Sequence, residues 1–323
     1  MGYAKGFMEI LSSSFEIDKR QVASLHDAAL AIMQSQSSNL MKIASSMSGK
    51  TKLKSKYRRL QRLIHGDSLT LRDYINLINQ IFQLEYRLVL QIDRTNWRFG
   101  IKEYNLFVLS AIHKGVAIPL IWVDLDRPGL SNTFERFCIV EEFIKYFGVE
   151  RIKYLLADAE FVGEEWFYYL KSKRIDFVIN VRKDLIITPD NDEAMTGENL
   201  FKDMRKKSQL VLSGEISGVE LTIVSSKNKD GELQILSVNG NFADPVTIYK
   251  ERWSLEQLFF HMKSDGFNLE ETHIKKPNRV FNLFMILSIA ACMSYAAGFV
   301  CNKKSHVKLK NTAELKLAYL NMA

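Results

Sequence analysis

Paired cysteines and histidines at metal-ligand spacing are both missing from this sequence. Its three cysteines, Cys138, Cys292 and Cys301, are scattered and odd in number. That excludes a disulfide framework and a cysteine-rich zinc site, and it points to a reducing cytoplasm. The six histidines show no ligand spacing. The N-terminal residues acquire acids early and hold no long apolar stretch, so they do not read as a secretory signal. Position 6 is Gly rather than the Ser or Thr that N-myristoylation requires. No repeat and no low-complexity segment is present.

What is there is the composition of an ordinary folded protein. Of 323 residues, 47% are hydrophobic and 25% charged, a mixture that excludes disordered and collagen-like classes and is long enough for about two self-sufficient cores. Acidic charge is in deficit: 44 Lys and Arg face 37 Asp and Glu, for a net +7, which favours a polyanionic partner, either nucleic acid or an anionic membrane. The excess is concentrated at the front, where the first 80 residues carry 12 Lys and Arg against 6 Asp and Glu. Lys42, Lys50, Lys52, Lys54, Lys56, Arg58, Arg59 and Arg62 run without an intervening acid. Thr51, Ser55, Tyr57 and Gln61 are interleaved with them, which favours contact with a DNA backbone over a merely solvated helix face.

One apolar run competes with a soluble reading. Val280 to Cys301 contains 22 residues without a charge, enough to span a bilayer. Asn282, Ser288, Ser294 and Gly298 interrupt it and basic residues flank both ends, so it gives no orientation signal and reads as a buried core helix rather than a membrane span.

Periodicity divides the rest. Residues 1–86 are helical, with apolar positions at helical spacing as in Leu71 to Tyr86. Short apolar runs at 88–92, 104–112 and 116–123, separated by Gly100 and by Lys114-Gly115, predict consecutive antiparallel strands. A helix over 134–147 ends at Gly148; a strand over 152–157, a helix near 164–171 and a strand over 175–181 follow. Residues 184–243 read as a β meander placed inside this α/β unit, after which a helix over about 244–264 and the apolar helix resume.

Two acids close predicted strands: Asp93 after 88–92 and Asp158 after 152–157. A carboxylate on a rigid strand end is a plausible metal position, although Asp is also common there as a turn residue. On the helix from Tyr249 to Lys263, residues 249, 252, 256 and 263 fall within about 60° of one face at 100° per residue. Glu256 is thus framed by Tyr249, Arg252 and Lys263 beside a core-facing seam, a setting suited to a cation and phosphates. The competing reading is a surface ion-pair stripe.

The spacing of Tyr249, Arg252, Glu256 and Lys263 resembles the Y-R-E-K signature of DDE transposases of the "insertion sequence four" family. The likeness extends through QIDRTNWRFG around Asp93, PLIWVDLDRPGLSN, LLADAEF around Asp158 and HIKKPNRV, covering about residues 87–300. It implies an α/β fold: a ribonuclease-H-like mixed-sheet core interrupted by a β-rich insertion and preceded by an all-helical N-terminal domain. The divisions would be a helical DNA-binding domain at 1–86, catalytic core at 87–183, β insertion at 184–243, the rest of the core with the signature helix at 244–301, and a basic tail at 302–323. The resemblance makes Asp93, Asp158 and Glu256 the catalytic, metal-holding triad for two Mg²⁺ or Mn²⁺ ions, and Tyr249, Arg252 and Lys263 the DNA contacts. It implies a bacterial, cytoplasmic enzyme that cleaves double-stranded DNA at terminal inverted repeats, through a hairpin step, and joins the 3′-OH to target DNA. It also implies a homodimer in the synaptic complex and no membrane association. Ala159 and Asn180 stand where the family usually has Arg, and no Trp falls within 184–243 to hold a flipped base. A same-fold nuclease or a decayed DNA-binding relative is the alternative.

Overall fold

Helix-forming periodicity accounts for the first part of the chain. The structure, a computed structural model, describes residues 2–305 apart from 191 and 265; most of the expected basic tail at 302–323 lies outside these residues. The helices α1 (Gly2–Ser14), α2 (Lys19–Ser35), α3 (Leu40–Ser46), α4 (Leu53–His65) and α5 (Leu71–Phe82) come first. Side-chain caps start several of them: Asp18 accepts from the amides of Arg20 and Gln21, Asn39 from those of Met41 and Lys42, and Thr70 from that of Asp73. In α4, Leu60, Leu63 and Ile64 are buried while Lys54, Arg58 and Arg62 are exposed. These three members of the basic run therefore occupy the solvent face of an amphipathic helix.

The strands β1 (Leu88–Phe99), β2 (Lys102–His113) and β3 (Val116–Asp124) form an antiparallel meander. The second turn places both Lys114 and Gly115 at positive φ, the geometry of a two-residue hairpin whose twist matches its strands. After the meander, α6 (Thr133–Phe147) starts with a capping box in which Asn132 and Glu135 each satisfy the other's backbone amide. Then come β4 (Ile152–Ala157), α7 (Glu164–Ser172) and β5 (Phe177–Val181). Both β1 with β4 and β4 with β5 are parallel pairs, which is why helical crossovers link these strands.

Between 184 and 243 lie β6 (Ile186–Pro189), β7 (Met195–Thr196), α8 (Gly197–Leu200), β8 (Ser208–Ile216), β9 (Val219–Lys227) and β10 (Leu233–Asn239). These strands do not make a sheet of their own. Antiparallel pairing of β10 with β5 joins them to the meander in one 10-stranded sheet of order β3-β2-β1-β4-β5-β10-β9-β8-β6-β7. The last elements are α9 (Pro245–Tyr249), a 3₁₀ turn over Lys250–Arg252, α10 (Trp253–Lys263) and α11 (Pro277–Ser305).

Helix α11 is long and apolar enough to cross a membrane, yet most of that stretch is buried within the protein. It packs against α2, α4, α5 and β3, and Leu283, Phe284, Ile286 and Leu287 are completely enclosed. Each such side chain contributes about 1.5–3 kcal/mol by leaving water. The helix thus seals the N-terminal helices to the sheet, helped by the Tyr74 hydroxyl donating to the Pro119 carbonyl at 2.8 Å.

Candidate active site

Register brings the two aspartates together. The parallel pairing of β1 and β4 ends at Ile92 opposite Ala157, so the next residues, Asp93 and Asp158, stand side by side at the end of that ladder. Asp93 does not end its strand as the composition suggests. β1 continues to Phe99 because β2 pairs with it throughout, Asp93 lying opposite Val108. Asp158 does leave its strand; its carboxylate caps a short 3₁₀ turn by accepting from the Ala159 amide at 2.6 Å.

The helical segment lies over the face that carries Asp93. Gln91, two residues earlier and so on the same face, is fully buried and donates to the Ser254 hydroxyl at 2.9 Å. This bond anchors the start of α10 beside the aspartates. Pro245 and the Asp244 cap fix where the segment begins. A 3₁₀ turn then eclipses residues three apart, which stacks Arg252 over the Tyr249 ring at 5.5 Å. Periodicity alone predicts a uniform α-helix over this stretch, and the tighter turn at Lys250–Arg252 departs from it.

Arg252 is the centre of the site. One guanidinium nitrogen donates to Asp93 at 3.2 Å and another to Glu256 one turn along the helix. The Arg252 side chain is 11% exposed and that of Asp93 17%, whereas Glu256 is 44% exposed. Burial pushes the Asp93 carboxyl up to about 6, an effect that Arg252 and the Arg94 amide only partly offset and that Asp158 and Glu160 reinforce. Burial alone would lower the pKa of Arg252, but Tyr249, Asp158, Asp93 and Glu256 together raise it. All three acids therefore act on one guanidinium.

Tyr249 and Lys263 occupy different settings. Tyr249 is buried among Tyr154, Leu156, Val178 and Leu236, and burial raises its hydroxyl well above the ordinary phenol value. Lys263, the last residue of α10, pairs with Glu270 at 3.7 Å rather than with any acid of the triad. Of the two aromatics within 184–243, Phe201 is buried and Phe242 half-buried.

Residues with no distinctive sequence signal tie β1 to the turn that follows β4. Arg94 makes two 2.6 Å contacts with the Glu160 carboxylate, a bidentate bridge from the residue after Asp93 to the residue two beyond Asp158. Its remaining nitrogen donates to the Asn105 side chain and the Gly129 carbonyl, both at 2.8 Å. Ser131 also donates to Glu160, and the buried Arg136 donates to the Ser131 and Glu160 carbonyls. The one available signal was opposite charge adjoining each predicted strand-end acid.

Carboxylate oxygens are the donors that hard divalent cations prefer, and Asp93, Asp158 and Glu256 supply donors of that chemistry around one cationic group. In this arrangement Arg252 itself supplies the positive charge. Among the described residues, no three of Asp, Glu, His and Cys approach closely enough to share a metal ion.

Fold and site together define an α/β protein with a carboxylate centre where the parallel ladder of β1 and β4 ends. Residues 87–293 match the transposase DDE domain, and the chain belongs to that family. Among solved structures it is similar to the piggyBac transposase synaptic complex with hairpin DNA, with a TM-score of 0.52 and 13% identity over 95% of this chain and 71% of that one. At that identity the likeness speaks to the fold alone. Slighter similarity is found to endonuclease V of Bacillus subtilis, with a TM-score of 0.27 and 13% identity over 70% of this chain and 94% of that one. The Marinitoga piezophila Argonaute gives 0.26 and 11% over 62% and 30%. No curated protein sequence matches the chain.

Proposed function

We propose that this DDE-domain protein is the transposase of a bacterial insertion sequence of the "insertion sequence four" family, cutting DNA at terminal inverted repeats and joining the freed 3′-OH to target DNA. The observation that carries the reading is the β1–β4 register, which sets Asp93 beside Asp158 under the helix bearing Arg252 and Glu256. The order β3-β2-β1-β4-β5, with β2 antiparallel to its neighbours, supports a ribonuclease-H-like core. The piggyBac relative in fold is a synaptic complex with hairpin DNA. By extension, a homodimer of this cytoplasmic protein would pair two element ends and pass through a hairpin.

Asp93, Asp158 and Glu256 would hold two Mg²⁺ or Mn²⁺ ions, which when bound supply water activation and charge neutralisation for phosphoryl transfer. The protein's own groups do the positioning. With its pKa near 6, Asp93 is mostly ionised at neutral pH and ready to act as a ligand. Arg252, released from Asp93 and Glu256, faces a DNA phosphate with a planar fork suited to it. Tyr249 keeps that guanidinium in place from below, and Lys263 adds charge further along the helix.

The test uses a plasmid carrying the DNA that borders the coding sequence on both sides. With Mg²⁺, double-strand breaks at both borders followed by 3′-OH joining to a second DNA support the reading, and Asp93→Ala, Asp158→Ala and Glu256→Ala should each abolish both. Nicking without joining would indicate a nuclease of the same fold. DNA binding without cleavage would indicate a decayed relative, consistent with Ala159 and Asn180.

A further inference from the structure

A second basic feature lies away from the carboxylate centre, where α4 meets the segment leading into α11. A cleft of about 590 Å³ opens there, lined by Tyr57, Gln61 and His65 on one side and His273, Lys275, Lys276 and Arg279 on the other. Among the described residues, no carboxylate lines it. His65, Lys275 and Lys276 are exposed, and among the described residues Lys275, Lys276 and Arg279 form no ion pair. The cations also crowd one another: the pKa of His65 is lowered by partial burial and then by the charges of Arg279 and Lys276. The start of α11 at Pro277, between the lining residues Lys276 and Arg279, adds the partial positive charge of a long helix's amino end.

The two walls are fixed to each other. Asn282 of α11 donates to the carbonyls of Ile64 and Gly66 at 2.9 Å each, clamping the end of α4. Lys42 and Ser37 both bind the Glu271 carboxylate, at 3.0 and 3.1 Å, and Ser38 donates to the Asn268 carbonyl at 2.7 Å. An unneutralised group of cations held in place by satisfied bonds around it is a preorganised anion site.

We infer that this cleft is a docking groove for the phosphate backbone of double-stranded DNA, formed jointly by the N-terminal helices and the segment after the signature helix. Tyr57 and Gln61 supply neutral donors between the cations, as backbone-positioning surfaces do. The inference rests on the transposase reading for its placement on the substrate. His273 follows Lys263 by ten residues, a reach of at most about 35 Å, which is about one turn of B-DNA. Glu256 lies about 10 Å back along the helix from Lys263, so the groove would hold the same duplex within about one and a half turns of the bond that the carboxylate centre would cut.

The experiment measures binding of a fluorescein-labelled 30-base-pair duplex of arbitrary sequence by the full chain over a KCl series. Lys275→Ala/Lys276→Ala/Arg279→Ala should flatten the slope of log K against log [KCl] by about 2 to 3, at about 0.9 per lost phosphate contact, and weaken binding at least tenfold at the lowest salt. Lys145→Ala/Lys153→Ala/Lys229→Ala, which removes the same charge elsewhere, should keep the wild-type slope. Equal slopes for wild type and the groove variant overturn the inference while leaving the transposase reading intact; absence of DNA binding by wild type overturns both. Should the groove variant fail to fold, acetylation of wild type read by mass spectrometry decides. Protection of Lys275 and Lys276 by the duplex supports the groove. Protection only by inorganic phosphate at matched ionic strength overturns it in favour of a small-anion site.

Discussion

Asp93 should make the metal-free protein lose stability as pH rises. The folded chain holds the Asp93 proton up to about pH 6, whereas an unperturbed aspartate releases it near 3.8. Between those values the native state binds more protons than the unfolded chain, so unfolding becomes easier as pH rises, the opposite of an ordinary salt-bridged carboxylate. At 1.36 kcal/mol for each pH unit, the full contribution is about 3 kcal/mol, of which about 2 kcal/mol falls between pH 4.5 and 7.5. The Asp93 side chain is only 17% exposed, so solvent screening takes little from this figure. Urea unfolding of wild type and Asp93→Asn in EDTA, at steps across that range, isolates the site from the other titrating groups. Wild type should fall relative to the variant by about 2 kcal/mol from pH 4.5 to 7.5. A gap that stays constant, or one that moves in favour of wild type, refutes the account of burial as the dominant influence on this carboxyl.

Other expectations follow from the same contacts. Arg252→Ala removes the shared counter-charge of Asp93 and Glu256 and should cost about 3–5 kcal/mol at pH 7.5; Mn²⁺ should then raise the variant's melting temperature more than that of wild type, and an equal rise would contradict the view that Arg252 stands in for a cation. Arg94→Leu leaves the Glu160 carboxylate without its bidentate partner, for a loss of about 3–5 kcal/mol in urea unfolding. Tyr249→Ala opens the cluster around Tyr154 and Leu236 and should cost about 3–5 kcal/mol, whereas Tyr249→Phe should stay within about 1 kcal/mol of wild type.

Local chemistry made many elements legible, and distant partners decided the rest. The β1–β3 meander was readable because apolar runs are punctuated by Gly100 and Lys114-Gly115, and α6 because its helical stretch closes at Gly148. The extension of β1 from Asp93 to Phe99 was not readable, since those polar residues are strand only because β2 pairs with them. Composition likewise gave no sign that β10 would join β5, or that β6, β7 and α8, each a few residues long, would form at all. For the site, spacing on one helix pointed to Arg252 and Glu256 as neighbours, and they are. That Asp93 meets the same guanidinium across 159 residues, and that Arg94 meets Glu160, are facts of sheet register that no single segment encodes. The apolar run at Val280 was ambiguous for the same reason: its length is compatible with a membrane, and only α2, α4, α5 and β3 show what covers it.

Glu256 offers the most direct test of the central claim, because its side chain is the most exposed of the three acids and its replacement disturbs packing least. Cleavage of DNA bearing the sequences that border the gene is followed under single-turnover conditions with Mg²⁺, for wild type and Glu256→Gln at equal DNA occupancy. The expected result is binding within a few-fold of wild type and cleavage slower by at least about a thousandfold. Cleavage by Glu256→Gln within about tenfold of the wild-type rate would contradict the assignment of Asp93, Asp158 and Glu256 as the catalytic centre.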